Sequence, residues 1–255
     1  MYTSFEDRLA LLYQFSDGSL PFFNNMKNPV NISGAGWSLT LGDSSIAAFN
    51  AAIIHTSRKE AVDELIAAIA LHGRETSIRL VGPGINHLDA FAQHGYKNLG
   101  GTPFMLWSAD NTIDDFQLRD DLSVRRLVPD DTQTMCVIYR DVYQMNDEAM
   151  QTFEQMLFAS ENDHTYGLFK SDEMVSLVTA MVYHDTIGIW SMGTPTVHQK
   201  NGYGEQLLKF VMQTHKNLGS KNFFLHASAA GKFLYDKCGW ITLDYYPYLV
   251  KTSAH

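Results

Sequence analysis

The sequence is poor in cysteine and has no long apolar run. Only Cys136 and Cys238 occur among its 255 residues, which excludes a disulfide framework and offers no metal-binding thiol spacing, so both are expected to be buried thiols. No apolar stretch reaches the roughly 18 residues that a membrane span needs, and Glu6 and Asp7 stand where a secretion signal would be basic. We therefore expect a cytoplasmic protein without a membrane partner.

Positive charge is also scarce. There are 19 lysines and arginines against 28 aspartates and glutamates, which argues against a nucleic-acid partner because phosphates are neutralised by basic side chains. The ten histidines show neither an HExxH pattern nor another paired spacing, so no metal site is predicted. The sequence also contains four acidic pairs, which would either steer a cationic acceptor or form solvated turns and helix starts. These pairs are Asp114 and Asp115, Asp120 and Asp121, Asp130 and Asp131, and Asp172 and Glu173.

Two common nucleotide-binding motifs are absent. A P-loop would end in Gly-Lys-Ser/Thr, but Gly204 is followed by Glu205. A dinucleotide fingerprint would need a third glycine where Leu207 stands. Neither phosphoryl-transfer chemistry nor a nicotinamide or flavin dinucleotide is therefore expected.

A glycine-containing turn, Gln199–Gly204, lies between a strand predicted at 187–192 and a helix predicted at 205–217. The first amides of a helix have no intrahelical partner and the dipole there is positive, so the backbone alone can hold an anion. Gly202 and Gly204 would let the anion approach without a Cβ in the way. The turn predicts a phosphate cradle, with a plain glycine loop as the alternative.

A second motif follows the turn. Residues 222–228 (NFFLHAS) predict an apolar strand, and a short helix predicted from Ala229 ends before Gly239 and Trp240. Together with the glycine turn, the segment LHASAAGKFLYDKCGW resembles the GNAT family of N-acetyltransferases, over roughly residues 121–250. The resemblance implies an α/β (α+β) fold in which a mixed, mostly antiparallel sheet is flanked by helices.

The resemblance implies acetyl-CoA as cosubstrate. Its pyrophosphate would rest on the glycine turn, and its pantetheine arm would lie between two strands that splay apart. Ser228 stands where family members often carry Asn, and a hydroxyl reaches less far than an amide. The implied cofactor-binding residues are Met192, Gly193, Thr194, Gln199, Lys200, Asn201, Gly202, Tyr203, Gly204, Glu205, Ser228, Lys232 and Tyr235.

The resemblance also suggests catalytic roles. Tyr235 falls on the family's tyrosine position, where a phenol can protonate the departing sulfur, although packing of its helix would also explain an aromatic residue there. Backbone N–H groups near 192–194 would stabilise the oxyanion. His226 is a candidate base, but His184, Asp172, Glu173 and a water relay remain open alternatives.

The first 120 residues repeat the order of predicted elements found in the second half. Aligning Gly95 with Gly239 gives an offset of 144 residues, which pairs Phe91 with Tyr235. No glycine occurs from Ala51 to His72, so this half lacks the cradle. The elements predicted here are helices at 4–15, 59–71 and 86–94 and strands at 36–41, 45–55, 77–81 and 102–108.

We therefore predict two GNAT-like halves in tandem: a degenerate domain at 1–120 and an acetyl-CoA-binding catalytic domain at 121–255. The polar connection 108–121 would hold the boundary. The first half would complete the sheet, form one wall of the acceptor pocket, or support pairing of subunits in a homodimer.

The predicted activity is transfer of an acetyl group from acetyl-CoA to a primary amine of a small molecule, with Tyr235 as general acid. A longer-chain acyl-CoA donor and a non-catalytic CoA-binding regulator are the alternatives. Helices predicted at 132–143 and 147–159 would select the acceptor, through a methionine-rich lining that core packing explains equally well. Nothing in the sequence separates a polyamine, an amino acid, an aminoglycoside or a protein terminus.

Overall fold

A computed structural model of the chain describes residues 4–111 and 116–251, so Asp114 and Asp115 lie outside the described residues. The helices are α1 (Phe5–Asn24), α2 (Glu60–His72), α3 (Leu88–Gln93), α4 (Thr132–Tyr143), α5 (Asp147–Met156), α6 (Tyr203–Asn217) and α7 (Ala229–Lys237). The strands are β1 (Val30–Gly34), β2 (Trp37–Leu41), β3 (Asn50–Ile54), β4 (Ser77–Leu80), β5 (Tyr96–Ser108), β6 (Leu122–Arg126), β7 (Asp163–Lys170), β8 (Glu173–Tyr183), β9 (Thr186–Gly193), β10 (Asn222–His226) and β11 (Ile241–Lys251).

The chain forms two compact units. The first unit comprises Met1–Leu9, Phe23–Pro103 and Asp244–His255, and the second comprises Ala10–Phe22 and Phe104–Leu243. Within the described ranges, no helix has the length and apolar character needed to span a bilayer.

The sheet of the first unit has the order β1-β2-β3-β4-β11. β3 and β4 are parallel because α2 carries the chain back between them, and the other neighbours are antiparallel. α2 packs Ala61, Leu65 and Ile69 against the sheet, at the four-residue spacing of one helical face. Leu39 and Ile54 lie opposite, so these side chains form a closed apolar core.

The sheet of the second unit has the order β5-β10-β9-β8-β7-β6. Only β9 and β10 are parallel, and α6 is the crossover helix between them. α6 buries Leu207, Val211 and Met212 in a core that includes Val178 and Leu225. This packing fixes the start of α6 beside the ends of β9 and β10.

The mixed, mostly antiparallel fold expected from the sequence is confirmed. α2, α4 and α6 begin and end within two residues of their predicted bounds. β1 was not predicted, since this short edge strand is half exposed and carries little apolar periodicity. The chain forms a 3₁₀ turn at Ala47–Phe49 where a strand was predicted, and α1 continues to Asn24 past Gly18 and Pro21. Intrinsic propensity predicts secondary structure poorly where tertiary packing determines it.

Asn50 joins two loops of the first unit. The residue is fully buried, and its amide group donates to the carbonyls of Ser44 at 2.8 Å and Glu75 at 2.7 Å. Its carbonyl oxygen accepts from the N–H of Gly42 at 2.9 Å. One side chain therefore satisfies main-chain groups from both loops, which have no strand partner there.

Replacing Asn50 with alanine should lower the free energy of unfolding by about 2–4 kcal/mol, because several buried main-chain groups lose their partner. Urea denaturation would measure the change. Asn98→Ala is the matched control, since the Asn98 side chain bonds the Gly100 N–H at an exposed position. Equal stability of the two variants would contradict this role of Asn50.

Candidate active site

Strands β9 and β10 separate before either ends. Their parallel pairing covers Thr186–Gly188 and Asn222–Phe224, whereas the strands continue to Gly193 and His226. Ser191 has a left-handed φ of 49°, and the register between β8 and β9 shifts at this point. Such a bulge bends its strand. The predicted splay of the two strands is therefore present in the described structure, and main-chain groups of both strands border the gap.

The turn after β9 leads into the start of α6. Lys200 and Gly202 both have left-handed backbone, with φ of 63° and 76°, and α6 begins directly afterwards at Tyr203. A methyl group on Gly202 would meet no atom within 4 Å, whereas one on Gly204 would lie 3.3 Å from the Met192 side chain. The turn is thus open on one side and closely packed against the end of β9 on the other.

Side chains hold this turn in shape. The Gln199 amide donates to the carbonyl of Thr194 at 3.2 Å, and the Asn201 amide donates to the carbonyls of His198 and Gln199. Arg119 donates from its guanidinium to the Asn201 carbonyl at 3.2 Å. These contacts engage carbonyls in and next to the turn, whereas the first N–H groups of a helix have no intrahelical partner.

Arg119 was missed by the sequence reasoning. Its guanidinium also pairs with Asp121 at 2.7 Å and lies 5.5 Å from the centre of the Tyr203 ring. The pairing with Asp121 raises the pKa of Arg119. Since Arg119 lies more than 80 residues from the turn in the sequence, no local pattern could have signalled the contact.

Tyr235 of α7 lies beside the end of β9. Its hydroxyl is 3.7 Å from the Met192 sulfur, and its ring centre is 5.7 Å from that of Trp240. The residue is only 8% exposed, and burial raises its pKa to about 12. The phenol is therefore protonated throughout the neutral range and is available as a hydrogen-bond donor.

His226 lies on the other face of the sheet from Tyr235. Leu225 shares the core that contains Tyr235, whereas the His226 ring packs against Phe15 at 5.2 Å and Phe104 at 5.0 Å. Successive residues of a strand point to opposite faces.

Of the alternative bases, Glu173 accepts a 3.0 Å hydrogen bond from His198, and His184 lies in the turn between β8 and β9.

The remaining predicted binding residues have structural partners. The Ser228 hydroxyl caps α7 by accepting from the Gly231 N–H at 3.0 Å, which leaves its own proton to donate. Lys232 pairs with Asp236 at 2.7 Å. Glu205 pairs with Lys237 and Lys209, and these lysines lower its pKa.

Among residues 4–111 and 116–251, no three His, Cys, Asp or Glu side chains are grouped to hold a metal ion.

Residues 136–246 match the family model described as an acetyltransferase (GNAT) domain. No curated protein matches the sequence of the chain.

Solved structures share the fold over most of the chain. A GCN5-related N-acetyltransferase from Kribbella flavida has a TM-score of 0.72 at 12% identity, covering 95% of this chain and 96% of that one. A functionally unknown conserved protein from Staphylococcus epidermidis has a TM-score of 0.68 at 14% identity, covering 91% and 98%. A GCN5-related N-acetyltransferase from Sphaerobacter thermophilus has a TM-score of 0.60 at 13% identity, covering 86% and 81%. At these identities the likeness is one of fold, and together with the family match it identifies a GNAT acetyltransferase domain at residues 136–246.

Proposed function

We propose that the protein is an N-acetyltransferase that transfers an acetyl group from acetyl-CoA to a primary amine of a small molecule. The observation that carries this proposal is the convergence of three features at the end of β9. These are the gap between β9 and β10, the left-handed turn at the start of α6, and the buried phenol of Tyr235 beside Met192.

The residues present fit acetyl-CoA. The amides from Gly202 onward would hold the pyrophosphate, because the start of α6 carries partial positive charge and Gly202 leaves open space. The pantetheine arm would pair with the open main chain of β9 and β10. This arrangement would bring the thioester to Met192, next to the Tyr235 hydroxyl.

The chemistry is attack by the amine nitrogen on the thioester carbonyl, with a C–N bond formed, the C–S bond broken and one amine proton released. Tyr235 would donate its O–H to the sulfur as negative charge develops there. Its pKa of about 12 makes it a weaker acid than a thiol, whose pKa is about 8.5. We therefore assign Tyr235 to hydrogen-bonding the sulfur. Where the phenol transfers its proton to the sulfur, the proton released by the amine restores the phenol.

Backbone N–H groups of Met192–Thr194 would stabilise the oxyanion. His226, at the end of β10 on the face opposite Tyr235, stays a candidate base. The matching element orders β3-α2-β4-α3 and β9-α6-β10-α7 support the tandem origin that we propose for the two halves. The domain boundary near 120, the homodimer and the cytoplasmic location stay predictions.

Replacing Gly202 with alanine should weaken acetyl-CoA binding about tenfold or more, because a Cβ in left-handed backbone costs roughly 1–2 kcal/mol and would displace the cradle amides. Calorimetric titration with acetyl-CoA, and separately with CoA, would give affinity and sites per chain. Gly219→Ala is the matched control, since Gly219 follows α6 with an equally left-handed φ of 98° and equally open space. Equal affinities of the two variants would rule out the cradle, and no binding by the unaltered protein would rule out the proposed function.

Replacing Tyr235 with phenylalanine should lower kcat by about a hundredfold, because the hydrogen bond to the negative charge developing on sulfur is lost, while the affinity for CoA changes little. The high pKa of Tyr235 means that its proton is present at all pH values below about 11, so no alkaline loss of activity between pH 8 and about 10 should come from this residue. Release of free thiol from acetyl-CoA, followed across pH, would measure the change in kcat and its pH dependence. Tyr245→Phe is the control variant, since Tyr245 is exposed. Unchanged turnover in Tyr235→Phe would contradict the hydrogen bond from Tyr235 to the sulfur.

A further inference from the structure

An aromatic cluster lies over the point where β9 and β10 separate. Phe15 of α1 stacks on the Trp190 ring, with ring centres 4.9 Å apart and an angle of 7° between the rings. The Phe15 ring centre also lies 5.2 Å from that of His226 and 5.9 Å from that of Phe104. Trp190 belongs to β9 and His226 to β10, so one side chain of α1 contacts both strands beyond their paired part.

Phe15 also reaches the last paired residue of β9. A Cβ placed on Gly188 would lie 3.3 Å from the Cε2 atom of Phe15 and 3.0 Å from the indole nitrogen of Trp190. Gly188 pairs with Phe224, and the parallel pairing of the two strands ends there. The Phe15 ring therefore lies over the closed end of the gap, on the face of the sheet opposite Tyr235.

A bound acyl-CoA would direct its acyl group toward this closed end. The pyrophosphate would rest at the start of α6, so the pantetheine arm would enter the gap from its open end. Two phenols flank Met192, where the thioester would lie: the Tyr235 hydroxyl is 3.7 Å from the Met192 sulfur, and the Tyr143 hydroxyl donates to the Met192 carbonyl at 2.8 Å. Trp190 lies two residues closer to the closed end, roughly 7 Å along an extended strand. An acetyl group fits within that interval, and each further methylene brings the chain closer to the rings.

A longer acyl chain needs space on one face of the sheet, because the two strands converge within its plane. On the α6 face, Ile189 and Leu225 are buried in the core of the second unit. On the other face, the Phe15 ring is only 6% exposed and contacts both Trp190 and His226. Trp190 is half-buried, so this face is less tightly closed than the α6 face, and Phe15 is the side chain that fills it.

We propose that Phe15 is a specificity-determining residue, whose ring stops the acyl chain at the closed end of the gap and restricts the donor to acetyl-CoA and its shortest homologues. This inference rests on the acetyltransferase function proposed above. Phe15 takes no part in the bond changes, which are the same for every acyl donor. It acts only through the room that it leaves for the chain.

The first test is Phe15→Ala, which removes the ring and makes room for a linear acyl tail. In the unaltered protein, kcat/KM should fall steeply from acetyl-CoA to butyryl-CoA and hexanoyl-CoA. Each methylene that a pocket buries favours binding about fourfold, so the ratio of kcat/KM for butyryl-CoA to that for acetyl-CoA should rise about tenfold in Phe15→Ala, and the ratio for hexanoyl-CoA should rise further. Hydrolysis by water, read as thiol release, provides a turnover that needs no identified amine.

Phe15→Leu is a second variant that disturbs the packing of α1 less. It should admit butyryl-CoA and still discriminate against hexanoyl-CoA. Calorimetric titration provides a measurement that needs no turnover: the hexanoyl chain should strengthen the binding of CoA to Phe15→Ala about tenfold more than it does in the unaltered protein. Phe91→Leu is the matched control, since Phe91 is a fully buried ring in the core of the first unit, and it should leave the chain-length preference unchanged.

Three outcomes would overturn the inference. These are an unchanged chain-length preference in both Phe15 variants, an equal shift in Phe91→Leu, and equal use of acetyl-CoA and hexanoyl-CoA by the unaltered protein. The proposed function fails separately, when the unaltered protein neither binds acetyl-CoA nor releases thiol above the uncatalysed rate. Normal turnover of acetyl-CoA together with an unchanged preference in the Phe15 variants would therefore reject only the role of Phe15.

Discussion

The separation of β9 from β10 is the constraint on which the site depends. A continuous parallel pair would use the main-chain donors and acceptors of both strands within the sheet, and none would remain for a ligand. The bulge at Ser191 bends β9 after the pairing with β10 has ended. Beyond that point, side chains satisfy the carbonyls of Met192, Gly193 and Thr194.

The helices around the gap each supply a different part of the site. α6 contributes its open start, α7 contributes Tyr235, and the last turn of α4 contributes the hydroxyl that holds the Met192 carbonyl. α4 and α6 each bury several side chains, and α7 buries Tyr235, so packing within the protein holds these parts of the site in place. Preorganisation of this kind lets hydrogen bonds act on developing charge without reorganisation of the protein.

The candidate site divides into residues that a sequence can reveal and residues that it cannot. The glycine turn and Tyr235 follow from short motifs, since glycine is needed where backbone is left-handed and the motif order is specific. Tyr143 is the last residue of the helix predicted at 132–143, which was interpreted from the sequence only as part of an acceptor-selecting surface, but the structure has its hydroxyl bonded to β9. Arg119 was interpreted as part of a polar connection, whereas its guanidinium holds the glycine turn. Neither contact has a local signature, because each joins residues at least 49 positions apart.

The sequence by itself determined the mixed α/β class, most helix bounds and the location of the glycine turn and of Tyr235, because helix starts, apolar periodicity and glycine turns are local properties of the chain. Tertiary structure alone decided that His226 and Tyr235 lie on opposite faces of the sheet, and which side chains bond the carbonyls at the end of β9. Those features depend on strand register and on packing between elements distant in the sequence. Register and packing are set by the whole core, and no short segment encodes them.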